Sequence, residues 1–363
     1  MKRGCMKDRI LILLLAASGT ILAQEANSGF DLSATVSAEA VESHELTESP
    51  RDGSPATAGF RSVFYPTLKL DEHWTVSGAI QVESRPYWSD EFTTQGYGVT
   101  GRILQANIGY SRVWKNRSIV IRAGEVSSAF GSFLLRYDDA VNPLIGMPME
   151  YGYYYAPVTD LGLAGIQADM TLGKWDGRVQ LANSSPLNPR SVFEKDQYGN
   201  WAGGVGYTIR QGFRVGLSAY RGPYLDRQSP FFHPGEAPPN VLPATAGGVD
   251  VGWAHGHWSV QGEWQRFVMT YHAIPTFREN AGYAEARRVL SPRWYVAVRA
   301  GYLHGCYESG GETYEAVAGF RPDTRQLIKF GYTLSRVRAS GELYNTWSAE
   351  LVTTLHPLSM AWN

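Results

Sequence analysis

Stretches of about ten residues in which apolar and polar side chains alternate recur along nearly the whole chain. The clearest are WTVSGAIQV from Trp74, FRVGLSAY from Phe213 and WYVAVRAGY from Trp294. Alternation at period two is typical of a β-strand with one apolar and one polar face, because successive side chains point to opposite sides. A long, spaced series of such strands predicts an all-β protein and favours a barrel.

The alternation predicts sixteen strands. They are expected near residues 29–42, 58–70, 74–85, 101–114, 118–125, 158–172, 177–183, 200–209, 213–221, 247–254, 258–270, 282–290, 294–303, 313–321, 325–336 and 343–355. Seven of the connections between them are short and eight are longer. An antiparallel up-and-down transmembrane β-barrel with both termini on one side has this arrangement. Fourteen and eighteen strands remain alternatives.

Composition favours a membrane barrel over a soluble sandwich. Charged residues make up 18% of the chain and aromatic residues 13%, and a soluble surface is expected to be roughly 25–35% charged. Aromatic residues are predicted at both ends of the strands. Trp74, Trp114, Trp175, Phe213, Trp258 and Trp294 lie beside the short turns, and Tyr87, Trp88, Tyr220, Tyr302, Tyr314 and Tyr344 towards the long loops. Two such bands match the two membrane interfaces.

The N-terminal segment predicts export from the cytoplasm. A basic start precedes the apolar run Ile10–Ala17 and a small-residue cleavage site at Ala23, as in a secretory signal peptide. We therefore expect a signal peptide over residues 1–23 and one barrel domain over residues 24–363. The mature chain has 29 basic and 33 acidic residues, a net charge of −4, which argues against nucleic-acid binding. Cys306 is its one cysteine and excludes an internal disulfide.

Closure into a barrel decides where the two strand faces point. A sixteen-stranded lumen is too wide for side chains to fill, so the apolar row is expected to meet lipid and the polar row to line water. Odd- and even-numbered positions of a strand therefore face opposite sides, a rule called parity below. In WYVAVRAGY parity places Val296 and Val298 on the outer face. The predicted wall arginines are Arg61, Arg85, Arg122, Arg178, Arg214 and Arg299, and the predicted wall acids are Glu83, Asp169, Asp250, Glu263 and Glu315.

The longest connection runs from Val126 to Pro157 and is called L3 below. Its sequence after Val126 is SSAFGSFLLRYDDAVNPLIGMPMEYGYYYAP, and its apolar residues need a surface on which to pack. We expect L3 to fold into the lumen and to narrow it opposite the wall arginines. The predicted constriction residues are Arg136, Asp138, Asp139, Glu150 and Tyr151. Such an eyelet selects solutes by size, dipole and charge. Packing outside the barrel, against a neighbouring subunit or over its mouth is the alternative.

The chain resembles the Gram-negative outer-membrane porins of the sixteen-stranded type. The resemblance rests on the predicted signal peptide, the strand count, the position of L3 and RAGEVSSAFGSFLLRYDDAVNPL from Arg122 to Leu144. It implies passive diffusion of small hydrophilic solutes or ions across the outer membrane, a homotrimer in outer-membrane lipid and a loop-lined constriction. The C-terminus departs from the family, because the chain ends AWN instead of on an aromatic residue, and Pro357 interrupts the last predicted strand.

Other classes of function have weaker signals. The sequence has no G-x-S-x-G elbow, so we predict no enzyme. His255 and His257 flank a turn without a Cys or carboxylate cluster, so neither a metal nor another cofactor is predicted. The arginine row of the wall favours anion or mixed selectivity. The acidic residues of the wall and of L3 oppose anion selectivity. A carbohydrate- or anion-selective channel, an outer-membrane enzyme and a secreted β-sandwich binding protein remain alternatives.

Overall fold

The chain forms a closed antiparallel β-barrel. The computed structural model describes residues 28–44, 55–85, 98–152, 162–183, 199–223, 243–270, 276–306 and 310–362. Within these ranges the strands are β1 (Ser28–Ser43), β2 (Ala56–Lys69), β3 (Trp74–Arg85), β4 (Gly98–Trp114), β5 (Arg117–Val126), β6 (Leu163–Leu172), β7 (Trp175–Ala182), β8 (Asn200–Arg210), β9 (Phe213–Pro223), β10 (Pro243–His255), β11 (Trp258–Met269), β12 (Phe277–Val289), β13 (Trp294–His304), β14 (Gly310–Phe320), β15 (Gln326–Val337) and β16 (Leu343–Trp362).

Strand order confirms the predicted up-and-down topology. Each strand pairs with its neighbours in sequence, and β1 pairs with β16 to close the sheet. The sixteen strands overlap the sixteen predicted segments, although the predicted start of β6 at residues 158–161 lies outside the described residues. A single closed sheet also rules out the β-sandwich alternative.

The seven short turns are also confirmed, with two to five residues each. Two-residue hairpins favour turns whose central residues have positive φ. Gly173 and Gly256 supply this conformation in two of them, each with a φ of 59°. All seven turns lie at one end of the barrel, because the strands simply run up and down.

Burial alternates along the strands as the parity rule predicted. In β13, Val296 and Val298 are exposed, whereas Tyr295, Ala297 and Arg299 are buried. Over the described residues the exposed row is largely apolar, and the buried row, which faces the interior of the closed sheet, holds many polar and charged groups. This arrangement is the inverse of a soluble protein and is typical of a membrane barrel.

The predicted aromatic band at the turn end is confirmed. Trp74, Trp114, Trp175, Trp258 and Trp294 are exposed at strand ends beside short turns. Several pack against a neighbouring strand, with ring centroids 4.6 Å apart for Trp294–Phe320 and 4.7 Å apart for Trp175–Tyr207. The guanidinium of Arg112 lies 5.1 Å from the Trp114 ring centroid.

The assignment of Tyr220 to the loop-end band is wrong. Its side chain is buried and belongs to an apolar cluster with Ala202 and Phe267. The cause is parity, since Tyr220 lies six residues after Arg214 on β9 and therefore faces the interior as Arg214 does. Tyr314, another predicted member of this band, is exposed, and exposed Trp201 and Trp347 also lie towards the loop end. Tyr87 and Trp88 lie outside the described residues.

The last strand is longer than predicted, because Pro357 does not end it. The β1–β16 register shifts between Leu32 and Ala34, where His356 and Pro357 oppose Ser33 alone. Such a β-bulge accommodates a residue that has no N–H to give to the ladder. The strand therefore continues to Trp362.

Regular structure other than strands is short in the described part of the chain. L3 holds a 3-10 turn at Phe133–Arg136 and a one-turn helix, α1, at Met149–Gly152. No helix among the described residues is long and apolar enough to cross a membrane.

Candidate functional site

L3 makes hydrogen bonds to the buried row of the barrel along most of its described length, residues 127–152. Its partners lie on ten strands, namely β1 to β4, β7 and β11 to β15. The contacts therefore lie on both sides of the seam where β1 meets β16. Three groups of them, around Asp139, Arg299 and Glu263, contain most of the charged residues.

Asp139 is held by two strands at once. The Arg61 guanidinium on β2 forms an ion pair with its carboxylate and donates from Nη2 to the carbonyl oxygen of Tyr137 at 3.3 Å. The Lys329 ammonium on β15 donates to the carbonyl oxygens of Asp139 and Leu144 at 2.8 and 3.0 Å. Arg61, Asp139 and Lys329 are all buried. Buried charges are stable only with such direct partners.

Asp138 contacts the neighbouring strands, β1 and β2. Thr35 donates a hydrogen bond to its carboxylate at 3.1 Å, and the Tyr65 hydroxyl donates a second one. The same carboxylate accepts the backbone N–H of Ala140 at 2.8 Å. Asp138 thus fixes the turn of L3 that presents Asp139 to Arg61.

Lys329 also contacts a carboxylate on the wall. Its Nζ lies 2.7 Å from Glu350 Oε2 on β16. Glu350 in turn is the register partner of Glu39 on β1, so two buried carboxylates lie side by side and Lys329 pairs with one of them. The three donors of this ammonium therefore reach one wall carboxylate and two L3 carbonyl groups.

Arg299 joins L3 to three neighbouring strands. It donates to the Gly146 carbonyl oxygen at 2.8 Å and contacts Glu285 and Glu315 at 3.1 and 3.4 Å. Glu315 accepts the backbone N–H of Ile145 at 2.9 Å. These contacts fix residues 145 and 146 of L3 to β12, β13 and β14.

Arg136 extends the same cluster from the L3 side. It donates to Glu285 Oε1 at 2.8 Å and to the Tyr283 hydroxyl at 2.9 Å. Its guanidinium also lies 5.2 Å from the Phe133 ring centroid. Glu285 therefore bridges one arginine from L3 and one from the wall.

Tyr151 and Ser132 bind Glu263 on β11. The Tyr151 hydroxyl lies 2.8 Å from Glu263 Oε1, and the Ser132 hydroxyl donates to Oε2 at 2.7 Å. The Tyr151 ring packs on Phe133 with centroids 5.2 Å apart. Tyr151 thus packs within the loop. The tyrosines that follow, residues 153–155, lie outside the described residues.

Glu150 differs from the other acids of L3. It is buried on α1, and neither carboxylate oxygen has a hydrogen-bond partner among the described residues. Burial, with a further contribution from Glu263, raises the pKa of Glu150 well above its usual range. This shift favours the uncharged form of the Glu150 side chain over its carboxylate.

Apolar side chains of L3 pack against the same wall. Leu144 and Ile145 belong to a buried cluster with Tyr295, Val317 and Leu327 on β13 to β15. Towards the start of L3, Phe130 packs against Phe267 on β11, with ring centroids 6.0 Å apart. The segment is therefore held by apolar burial as well as by polar contacts.

The remaining wall arginines lie on β5 to β9 and are more exposed. Arg122 and Arg178 pair with Asp169, and Arg214 pairs with Asp176 and Asp250. The side chain of Arg85, at the end of β3, lies outside the described residues.

The structure brings L3 and wall charges into direct contact instead of setting them across open water. This holds for Arg61 with Asp139 and for Arg136 with Glu285. The sequence reasoning missed Lys329, Glu350 and Glu285 as partners. A signal for Lys329 was present, since it shares the buried face of β15 with Leu327 and Gly331.

Histidine and cysteine form no evident site. Among the described residues, no group of three or more His, Cys, Asp or Glu is placed to hold a metal ion. His255 ends β10 and His257 lies in the next turn. Cys306 Sγ accepts a hydrogen bond from the Arg278 backbone N–H at 3.3 Å. The absence of metal and cofactor binding stays a prediction.

No protein-family model matches the sequence, and no curated protein matches it. Solved structures do share its fold. An anion-selective porin from Comamonas acidovorans has a TM-score of 0.62 at 11% identity, over 90% of this chain and 100% of that one. OmpF of Salmonella typhi, in complex with daunomycin, has a TM-score of 0.61 at 11% identity, over 90% and 97%.

A third similar structure is the trimer form of in-vitro folded OmpT, an outer-membrane protein of Vibrio cholerae. Its TM-score is 0.57 at 9% identity, over 91% of this chain and 100% of that one. These likenesses extend over nine-tenths of the chain and agree with the closed sixteen-stranded barrel. They show that the chain has the fold of the porins.

Proposed function

We propose that this chain, which has the porin fold, is an outer-membrane diffusion channel for small hydrophilic solutes or ions. One observation carries the proposal: the closed sheet exposes an apolar row and directs a polar, charged row to its interior. An apolar outer band suits lipid, and a polar interior suits a water-filled passage. One of the similar folds is named as an anion-selective porin, which supports the prediction that the chain is not an enzyme.

We also propose that L3 lies in the lumen and narrows it. The proposal is supported by the hydrogen bonds of L3 to the buried rows of ten strands and by the three buried apolar clusters that L3 residues join. In this arrangement Arg136, Asp138, Asp139 and Tyr151 act mainly as anchors that hold the loop against the wall. Pore size then depends on these anchors, because they decide how far L3 stands from the opposite wall.

The same proposal sets the location of the chain. Residues 1–23 would act as a cleaved signal peptide and residues 24–363 would form the barrel, inserted in outer-membrane lipid. The short turns would then face the periplasm and the long loops the exterior, as in bacterial barrels.

Conductance across a planar bilayer tests the channel directly. We expect the purified protein, extracted in detergent and free of its signal peptide, to produce stepwise increases of current in salt solution. The matched control is the same protein after heat denaturation. Absence of current steps from folded protein, identified by its different migration on unheated and heated gels, would refute the function.

We propose a homotrimer, supported by the trimeric form of a protein of similar fold. A shallow groove crosses the exposed face of six neighbouring strands, β13, β14, β15, β16, β1 and β2. It is lined by small side chains such as Ala316, Ala349 and Ala40, beside Phe330 and Trp347. Small side chains let neighbouring surfaces approach closely within a membrane. We therefore propose this face as the contact between subunits.

Chemical cross-linking in native membranes tests the assembly. We expect a trimer band for the wild type and a much weaker one for Ala40→Trp, because the larger side chain fills the groove. Ala168→Trp on β6, far from the groove, is the matched control and should leave the band intact. Equal bands for both variants would rule out this contact surface.

A further inference from the structure

Six charged side chains on β5 to β10 form an array of two ion-pair clusters on the interior face of the barrel. This array, called the charge ladder, consists of Arg122, Asp169, Arg178, Asp176, Arg214 and Asp250. On the basis of the proposed channel function, we propose that permeating ions pass along this side of the lumen. We further propose that the charge ladder, and not the charges in contact with L3, sets the ion selectivity.

The first half of the ladder centres on Asp169 of β6. Arg122 on β5 forms an ion pair with its carboxylate, and Arg178 Nε on β7 lies 3.8 Å from Oδ1. Gln167 donates a hydrogen bond to the same carboxylate at 3.1 Å. One acid is thus shared by two arginines from the strands on either side of it.

The second half centres on Arg214 of β9. Its Nη2 and Nε donate to the two carboxylate oxygens of Asp176 at 2.6 and 2.8 Å, and its Nη1 pairs with Asp250. One arginine is therefore shared by two acids, the reverse of the first half. Along the wall the sign of the charge alternates.

Exposure separates the ladder from the charges that contact L3. Ladder side chains retain 15–37% of their accessible surface. The side chains of Arg61, Asp139, Lys329 and Arg299 retain 0–3%. A charge that water reaches can interact with a passing ion, whereas one neutralised by a buried partner acts mainly on that partner.

Two glycines leave room for the ion pairs of the second half. Gly206 and Gly216 lie between Asp176 and Asp250 in one row across β7 to β10. A Cβ at Gly206 would lie 2.1 Å from Arg214 Nη2, so the guanidinium rests directly on the backbone. Glycine has no side chain, so at these positions the Arg214 side chain covers the backbone of the wall directly.

A further glycine lies beside the arginine. Gly252 is the register partner of Arg214 on β10, and a Cβ added to it would meet no atom within 4 Å. The wall next to the ladder therefore borders open space. By contrast, the corresponding part of β13 to β15 is covered by Leu144 and Ile145 of L3.

The balance of the ladder has a consequence for selectivity. Three arginines face three aspartates, so the wild-type ladder carries no net charge and should discriminate weakly between cations and anions. Removing one member leaves an unbalanced charge beside the ion path. The Debye length is about 8 Å at physiological ionic strength. This single charge therefore acts mainly on ions in its own part of the lumen.

Reversal potentials in a planar bilayer under a potassium chloride gradient test the inference. We expect Arg214→Gln to shift the permeability ratio towards cations and Asp250→Asn to shift it towards anions. Each shift should be on the order of fivefold, the effect of one unit charge about 4 Å from an ion in water. Arg178→Gln, whose ion pair is longer, is a milder second variant and should also shift the ratio towards cations.

Matched substitutions outside the ladder provide the controls. Arg336→Gln, at the exposed end of β15, and Asp323→Asn, in an exposed turn, make the same changes of charge and should leave the ratio unchanged. Arg214→Lys keeps the positive charge and should retain the wild-type permeability ratio. Conducting Arg214→Gln and Asp250→Asn variants with wild-type reversal potentials would overturn the ladder alone. A folded wild type that never conducts would overturn the channel, and the ladder with it.

Discussion

Replacing Lys329 by methionine should lower the free energy of unfolding of the barrel by about 3–5 kcal/mol, the range for loss of one partner of a buried ion pair. Methionine has a similar length but no charge. The substitution leaves the Glu350 carboxylate without its Lys329 contact, beside Glu39, and removes the donor from the carbonyl groups of Asp139 and Leu144. Denaturant unfolding in detergent, followed by tryptophan fluorescence, measures the change.

Two further variants separate this effect from a general loss of lysine. Lys174 is exposed, and within the described part of the chain its side chain makes one hydrogen bond, to the Ile209 carbonyl oxygen at 3.2 Å. Lys174→Met should therefore change stability by less than about 0.5 kcal/mol. Combining Lys329→Met with Glu350→Leu should recover part of the loss, because an apolar pair needs no compensating charge. If both lysine variants behave alike, Lys329 is not an anchor.

Replacing Arg61 by methionine should have the second large effect, both on stability and on conductance. Asp139 would lose its ion pair with β2, and the Tyr65–Asp138 hydrogen bond would remain as a contact of L3 with that strand. We expect a loss of about 3–5 kcal/mol and a larger, noisier single-channel conductance, because fewer contacts hold L3 on this side of the lumen. Denaturant unfolding and planar-bilayer recording measure the two effects separately.

The conductance of this variant also tests where L3 lies. Arg336→Met is the matched control, because Arg336 is exposed at the end of β15 and its ion pair among the described residues is a 3.9 Å contact with Glu312. If L3 packed outside the barrel, Arg61→Met would destabilise the protein without enlarging the pore. A destabilised variant with wild-type conductance would therefore contradict the proposed constriction.

The strands were predictable because their signal is local. In β13 the alternation of Val296, Val298 and Arg299 follows from the pleat of a single strand, and burial repeats it residue by residue. The same rule applied to β9 gives the correct interior position of Tyr220. Proximity to a long loop was a poorer guide than parity, because an aromatic residue near a strand end lies on either face.

The contacts of L3 were not predictable in the same way. Lys329 binds the carbonyl oxygen of Leu144, 185 residues earlier in the chain, and Glu315 binds Ile145 across 170 residues. No periodicity relates such positions, because they depend on how a non-repetitive segment packs against a closed wall. Parity indicates which wall groups are available, and packing decides which of them L3 contacts.

The double attachment of Asp139 has a consequence for the order of assembly. Its carboxylate binds Arg61 near the start of the chain and its backbone binds Lys329 near the end, on opposite sides of the β1–β16 seam. Contacts between distant parts of a chain form late, because closing a long loop costs entropy. The first and last strands must therefore join before Asp139 gains both partners, so L3 would reach its final position only in a finished barrel.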